Sequence, residues 1–104
     1  MEDLMPSEFY LGQNFPNPFK EKTVIKYCVA YKTRVQITVY NTDEELIEKL
    51  VDEEKGPGTY EVQFNVSKYH SGESLNLPDG YYFYHLSAGH YSSEKKLLCK
   101  NALL

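Results

Sequence analysis

Apolar and polar residues alternate with a period of two along much of the chain. In TVIKYCV, Ile25, Tyr27 and Val29 fall on one side and Val24, Lys26 and Cys28 on the other. RVQITVY sets Val35, Ile37 and Val39 against Gln36, Thr38 and Tyr40, and TYEVQFNV sets Tyr60, Val62, Phe64 and Val66 against Glu61, Gln63 and Asn65. A period of two is the pleat of a half-buried β-strand. GYYFYHLSA is aromatic on both sides, which predicts a central strand covered on each face. YSSEKKLLCK reads as the last strand. ELIEKLV fits a turn of helix almost as well as a strand, but seven residues are few for an isolated helix, and its neighbours are strands.

Turn signals fall between these runs. NTDEE is a polar turn, EKGPG a strong break, LPDG a proline and Asp-Gly turn, and SAGHYSS carries Gly89 where a short hairpin loop belongs. SKYHSGESLN is a longer polar connection. Six strands, seven with an N-terminal edge segment, predict an all-β antiparallel sandwich in two sheets. Gly80-Tyr81-Tyr82 opens the penultimate strand in the manner of a tyrosine corner, with Tyr82 expected to bond nearby backbone. Cys28 lies on the outward parity, so no bridge to Cys99 is expected.

One segment breaks the alternation. In LGQNFPNPF, Pro16 and Pro18 exclude helix and central strand, yet Phe15 and Phe19 flank them. The expectation is an extended segment along the sandwich edge, with both phenylalanines plugging the open end of the core.

Composition narrows the function. The 104 residues suit one domain, and 41% hydrophobic with 25% charged residues is ordinary for a globular protein. A net charge of −4 argues against a nucleic-acid surface. No run approaches the length of a membrane span. The start, MEDLMPSEF, is acidic and lacks the apolar core of a signal peptide. The expected location is cytoplasmic if Met1 is the true start, and secreted or cell-surface if the chain is part of an exported protein.

Candidate chemistry is sparse. His70, His85 and His90 lie in no metal spacing or nucleophile motif, so no catalytic residue, metal or cofactor is assigned. Glu44-Glu45 and Glu53-Glu54 read as solvated turn residues, and Asn65-Val66-Ser67 is a short, common triplet.

Read in order over residues 9–100, FYLGQNFPNPF, TVIKY, VQITVYN, LVDEEKGPGTYEVQFN, LPDGYYFYHLSAG and KKLLCK resemble the C-terminal sorting domain (type A) of the type IX secretion system of Bacteroidetes-like bacteria. That domain is similar to the Ig-like domain of flagellar hook-capping proteins. The departures are His85, where the family commonly has arginine, and the continuation Asn101–Leu104 beyond the usual terminal lysine. The resemblance implies an Ig-like sandwich of about seven strands, non-catalytic, that directs an attached N-terminal cargo across the outer membrane through contacts with the secretion machinery. It divides the chain into a leader (1–10), a Pro-rich edge segment (11–22), the sandwich (23–100) and a tail (101–104). The motif residues are Asn14, Phe15, Pro16, Asn17, Pro18, Phe19, Gly80 and Tyr82.

The terminal strand then offers Lys95, Lys96, Leu97, Leu98 and Lys100 as the handle that the machinery reads; edge lysines that block aggregation are the compatible alternative. Alternation also predicts a surface patch of Tyr40, Tyr81, Phe83 and His85 on the outer face of one sheet, able to meet the cargo, the machinery or, in weak self-association, a second copy. Two other functions remain open: an Ig-like module binding carbohydrate or protein, and a spacer packed on a neighbouring domain.

Overall fold

The alternating runs form seven strands: β1 (Tyr10–Leu11), β2 (Lys22–Val29), β3 (Thr33–Tyr40), β4 (Leu46–Lys55), β5 (Gly58–Asn65), β6 (Gly80–Ala88) and β7 (Tyr91–Cys99). The computed structural model describes residues 8–65 and 80–100. Val66, SKYHSGESLN with His70, most of LPDG, and the 101–104 tail therefore lie outside the described residues. Two antiparallel sheets face each other, one ordered β1-β2-β5 and the other β4-β3-β6-β7. The strand order makes VQITVY, GYYFYHLSA and the terminal strand neighbours in one sheet.

The inward parities of β2, β3, β5 and β6 are those the alternation predicts, and packing decides that of β7, where Leu97 and Leu98 are adjacent. Ile25, Tyr27, Val29, Val35, Ile37, Val39, Phe64, Tyr82, Tyr84, Leu86, Ala88, Leu97 and Cys99 are all buried between the sheets. Burial of each large apolar side chain contributes roughly 1.5–3 kcal/mol before chain entropy is subtracted. Tyr27 stacks on Tyr60 across the β2–β5 pair, with ring centroids 5.4 Å apart.

Two expectations change. β6 is central in its sheet but covered on one face only: Tyr82, Tyr84, Leu86 and Ala88 are buried, whereas Phe83, His85 and Ser87 are half-buried and Tyr81 is exposed. The aromatic residues on its outer side therefore form surface, with no further layer over them among the described residues.

The helix-like spacing in ELIEKLV has a different cause. β4 is a strand, but its pairing with β3 slips between Ile37 and Thr38 and again between Val39 and Tyr40. Each slip inserts an extra residue into β4, a β-bulge. Ile47, Leu50 and Val51 consequently all reach the core at a spacing that mimics a helix turn.

The β6–β7 hairpin turns on Gly89 and His90, between the paired Ala88 and Tyr91. Gly89 has φ +59°, a left-handed conformation in which a side chain is disfavoured.

The cysteines face opposite ways. Cys28 points out of the three-stranded sheet, its Sγ 3.6 Å from Thr59 Oγ1, while Cys99 is buried between the sheets. Titrating thiols in the denatured, unreduced protein should give close to two per chain; none would mean that the two cysteines had been brought together.

Candidate functional site

The proline segment and the terminal strand, far apart in sequence, are joined along one side of the sandwich. The chain enters at Phe9, which packs edge-on to Tyr31 and stacks on Tyr91, with centroids 4.9 and 5.6 Å away. It follows the three-stranded sheet first. Tyr10 and Leu11 pair with Cys28 and Tyr27, Gly12 N–H donates to Lys26 O (2.8 Å), and Phe15 exchanges two backbone bonds with Val24 (both 2.9 Å). It then crosses to the four-stranded sheet, where Phe19 N–H donates to Leu98 O (3.1 Å) and Lys100 N–H to Phe19 O (2.9 Å).

The sequence fits this crossover. Pro16 and Pro18 have no N–H to satisfy, so the donors that remain at Phe15 and Phe19 are the ones the two sheets accept. Both the Phe15–Pro16 and Asn17–Pro18 peptide bonds are cis.

Side chains complete the seam. Gln13 Nε2 donates to Lys96 O (2.8 Å), and Asn17 Oδ1 accepts from Leu98 N–H (3.0 Å). With the two Phe19 bonds, these satisfy the outward backbone groups of β7 at Lys96 O, Leu98 N–H, Leu98 O and Lys100 N–H.

Beneath the seam lies a buried polar cluster. Asn14 is 2% exposed; its Nδ2 donates to Thr23 Oγ1 (3.0 Å) and Pro16 O (3.2 Å), and its Oδ1 accepts from Gln13 Nε2 (2.7 Å). Thr23 Oγ1 donates to Pro16 O (2.8 Å). The Tyr84 hydroxyl donates to Gly12 O (2.6 Å) and accepts from Asn14 N–H (2.8 Å). Burial pushes the Tyr84 phenol up to about 12, against a smaller lowering by the Asn14 backbone.

One expectation is extended here and another corrected. Tyr84 also ties backbone, reaching across the sandwich to the proline segment. Tyr82 is a buried core residue. Only Phe19 plugs the core: it is 2% exposed and meets Phe64 edge-on at 6.0 Å, whereas Phe15 is 77% exposed. Crossing between sheets turns the two rings in opposite senses. Phe15 instead lines an outer groove of about 570 Å³ with Tyr10, Val24, Lys26 and Glu61.

Parity divides the candidate handle. Leu97 is fully buried, and Lys95 shares its inward side, half-buried at the sandwich rim. An inward charge of this kind discourages edge-to-edge pairing. Lys96 and Lys100 are exposed, and Leu98 between them is half-buried.

Tyr40, Tyr81, Phe83 and His85 share the outer face of the four-stranded sheet. Tyr40 is paired with Phe83, Phe83 with Lys96, and Tyr81 with Leu98. Lys96 Nζ sits 4.9 Å from the Tyr81 ring centroid, a cation–π contact. Leu46, 54% exposed and paired with Tyr40, extends this patch. The β4 bulges hid it, because they break the parity by which it would have been placed. Tyr40, Phe83, Glu44 and Glu94, with Asn41 and Thr42, line a shallow groove of about 470 Å³ beside it.

Farther along the same face, Asp52 accepts from Gln36 and Arg34 and pairs with Lys49, which holds its carboxyl below the usual carboxylate range. Glu44 and Glu45 belong to a turn organised by Asn41 Oδ1, which accepts from Asp43 N–H and Glu45 N–H (both 2.9 Å). Among the described residues, no cluster of three histidine, cysteine or carboxylate side chains could hold a metal ion.

The sequence model of the secretion system C-terminal sorting domain matches residues 13–100. Among solved structures, dimeric latent PorU from Porphyromonas gingivalis is similar in fold, with a TM-score of 0.64 at 14% identity over 95% of this chain. The chain spans about a tenth of that structure, since the alignment covers 10% of PorU. No curated protein matches.

Proposed function

The chain belongs to the C-terminal sorting domains of the type IX secretion system, and from that membership we propose that it is a non-catalytic sorting module directing an attached cargo across the outer membrane to the cell surface. Its partners in this reading are the secretion machinery and a cargo domain on its N-terminal side. One observation carries the proposal beyond membership. The family match begins at Gln13 and ends at Lys100, and these two residues bound the seam in which the proline segment closes on the terminal strand.

The handle is then a folded element, not a linear tail. Lys95, Lys96, Leu97, Leu98 and Lys100 act through the strand that contains them: Leu97 anchors it in the core, and Lys96, Leu98 and Lys100 face outward. The chain works as one sorting-type unit, with 1–10 leading in, 11–22 forming the seam, 23–100 the sandwich and 101–104 the tail.

Fused behind a signal peptide and a reporter, the domain should bring the reporter to the surface of a host that has the type IX system. Removing residues 94–104 should leave the reporter in the periplasm. Equal surface display of the two fusions would overturn the proposal.

A further inference from the structure

An exposed edge strand is ordinarily taken by strand addition, in which a partner segment pairs with its unpaired backbone. The β7 edge is poorly suited to that. Its even-numbered residues point their backbone groups outward, as the bonds at Lys96, Leu98 and Lys100 establish, and β7 pairs with β6 without a bulge. From Lys96 O to Lys100 N–H, four outward groups are already bonded to Gln13, Asn17 and Phe19. By alternation, the open stretch of edge is centred on Ser92 and Glu94. An added strand would therefore find no open backbone group over the terminal part of the edge, from Lys96 O onward, where Leu98 and Lys100 lie.

What this side does present is side chains. Lys96 and Leu98 project from one face at an interval of roughly 7 Å, twice the rise per residue of a strand, and Lys100 follows them, exposed, just past the end of β7. Tyr81, 52% exposed and paired with Leu98, supplies an apolar centre, and the Lys96 ammonium rests on its ring. Neither Lys96 nor Lys100 has a carboxylate within 4 Å among the described residues. At the opposite edge of the same sheet, β4 carries Glu48, Asp52, Glu53 and Glu54 against Lys49 and Lys55, whereas β7 and the residue after it carry Lys95, Lys96 and Lys100 against Glu94. In a chain of net charge −4, the β7 edge is thus a local cationic exception.

We propose that the stripe Lys96–Leu98–Lys100, with Tyr81 beside it, is the surface by which the domain is recognised, and that its partner is an acidic protein surface meeting the strand face-on. The proposal rests on the sorting reading and specifies how the handle is read. Gln13, Asn17 and Phe19 have a positioning role: they close the edge and fix the register in which the stripe is displayed. Complementary charge of this kind governs encounter and specificity more than contact area does.

The test separates face from edge in the full domain, fused to a signal peptide and reporter in a type IX host. Lys96→Glu with Lys100→Glu reverses the face and leaves the backbone untouched. Lys96→Arg with Lys100→Arg keeps the charge. Glu94→Pro removes one open edge N–H, and proline is tolerated at such an edge. The charge reversal should cut surface display by about tenfold or more, the effect of losing two complementary contacts. The arginine pair and Glu94→Pro should stay within about twofold of the parent, with all purified domains showing the parent's melting temperature. Should Glu94→Pro fail to fold, Ser92→Pro serves as the edge probe. Loss of display in a folded proline variant, or full display of the charge reversal beside a displayed parent, would overturn face-on recognition alone. A parent that never reaches the surface would overturn the sorting reading, and this inference with it.

Discussion

Phe19→Ala should lower the unfolding free energy by about 3–5 kcal/mol, while Phe15→Ala should change it by no more than about 0.5 kcal/mol. The two residues flank the same pair of prolines and cannot be told apart by type or spacing. Their difference lies in burial: Phe19 is 2% exposed and packs against Phe64, whereas Phe15 is 77% exposed. Truncating Phe19 leaves a cavity lined by residues that both sheets hold in place, so little collapse can recover the loss. With urea slopes of about 1–3 kcal/mol/M for small proteins, the denaturation midpoint should fall by at least about 1 M for Phe19→Ala and barely move for Phe15→Ala. Equal losses for the two variants would mean that the proline segment does not cross between the sheets as described.

Tyr84→Phe should cost about 2–4 kcal/mol although it removes a single oxygen. That oxygen serves two buried backbone groups at once, accepting from Asn14 N–H and donating to Gly12 O. Without it both are stranded away from water, and an unsatisfied buried group costs about 1–3 kcal/mol. The same hydroxyl makes stability depend on alkaline pH. Burial raises the Tyr84 phenol from its ordinary value of 10.0 to about 12, so the folded chain keeps a proton that the unfolded chain releases first. The stabilisation from this group is therefore complete below pH 10 and is lost as pH rises from there toward about 12. Tyr27 is raised by burial as well and acts in the same direction. Chemical denaturation from pH 8 to 11.5 should accordingly show a steeper alkaline loss in the parent than in Tyr84→Phe, with some slope remaining in the variant. Parallel pH profiles would place the Tyr84 hydroxyl outside the buried cluster.

These two variants and the export variants probe different properties of one seam. Phe19 and Tyr84 hold the proline segment against the sandwich, so their loss should appear as instability. Lys96 and Lys100 are exposed and make no contact that the fold needs. Their reversal should appear in recognition while the melting temperature stays put.

The sequence by itself determined the strands and which way most of their side chains point. In β2, β3, β5 and β6 the alternation that names Ile25, Ile37, Phe64 and Tyr84 as inward is a property of the pleat, set residue by residue, and needs no knowledge of any partner strand. The order of spaced motifs likewise sufficed for the family, because the local signals agree with one another along the chain. Tertiary structure alone decided the rest. Phe15 and Phe19 could not be separated, because a proline segment has no period from which a facing direction can be read. Leu46 was missed because two bulges in β4 shift its parity, and a bulge is defined only against the opposing strand. Tyr84 was recognised as inward, but its hydroxyl is satisfied by chain some seventy residues away in sequence. The closed edge of β7 has the same origin: its partners are Gln13, Asn17 and Phe19, and bonds over such a separation exist only once the two sheets have packed and brought both ends of the chain to one side.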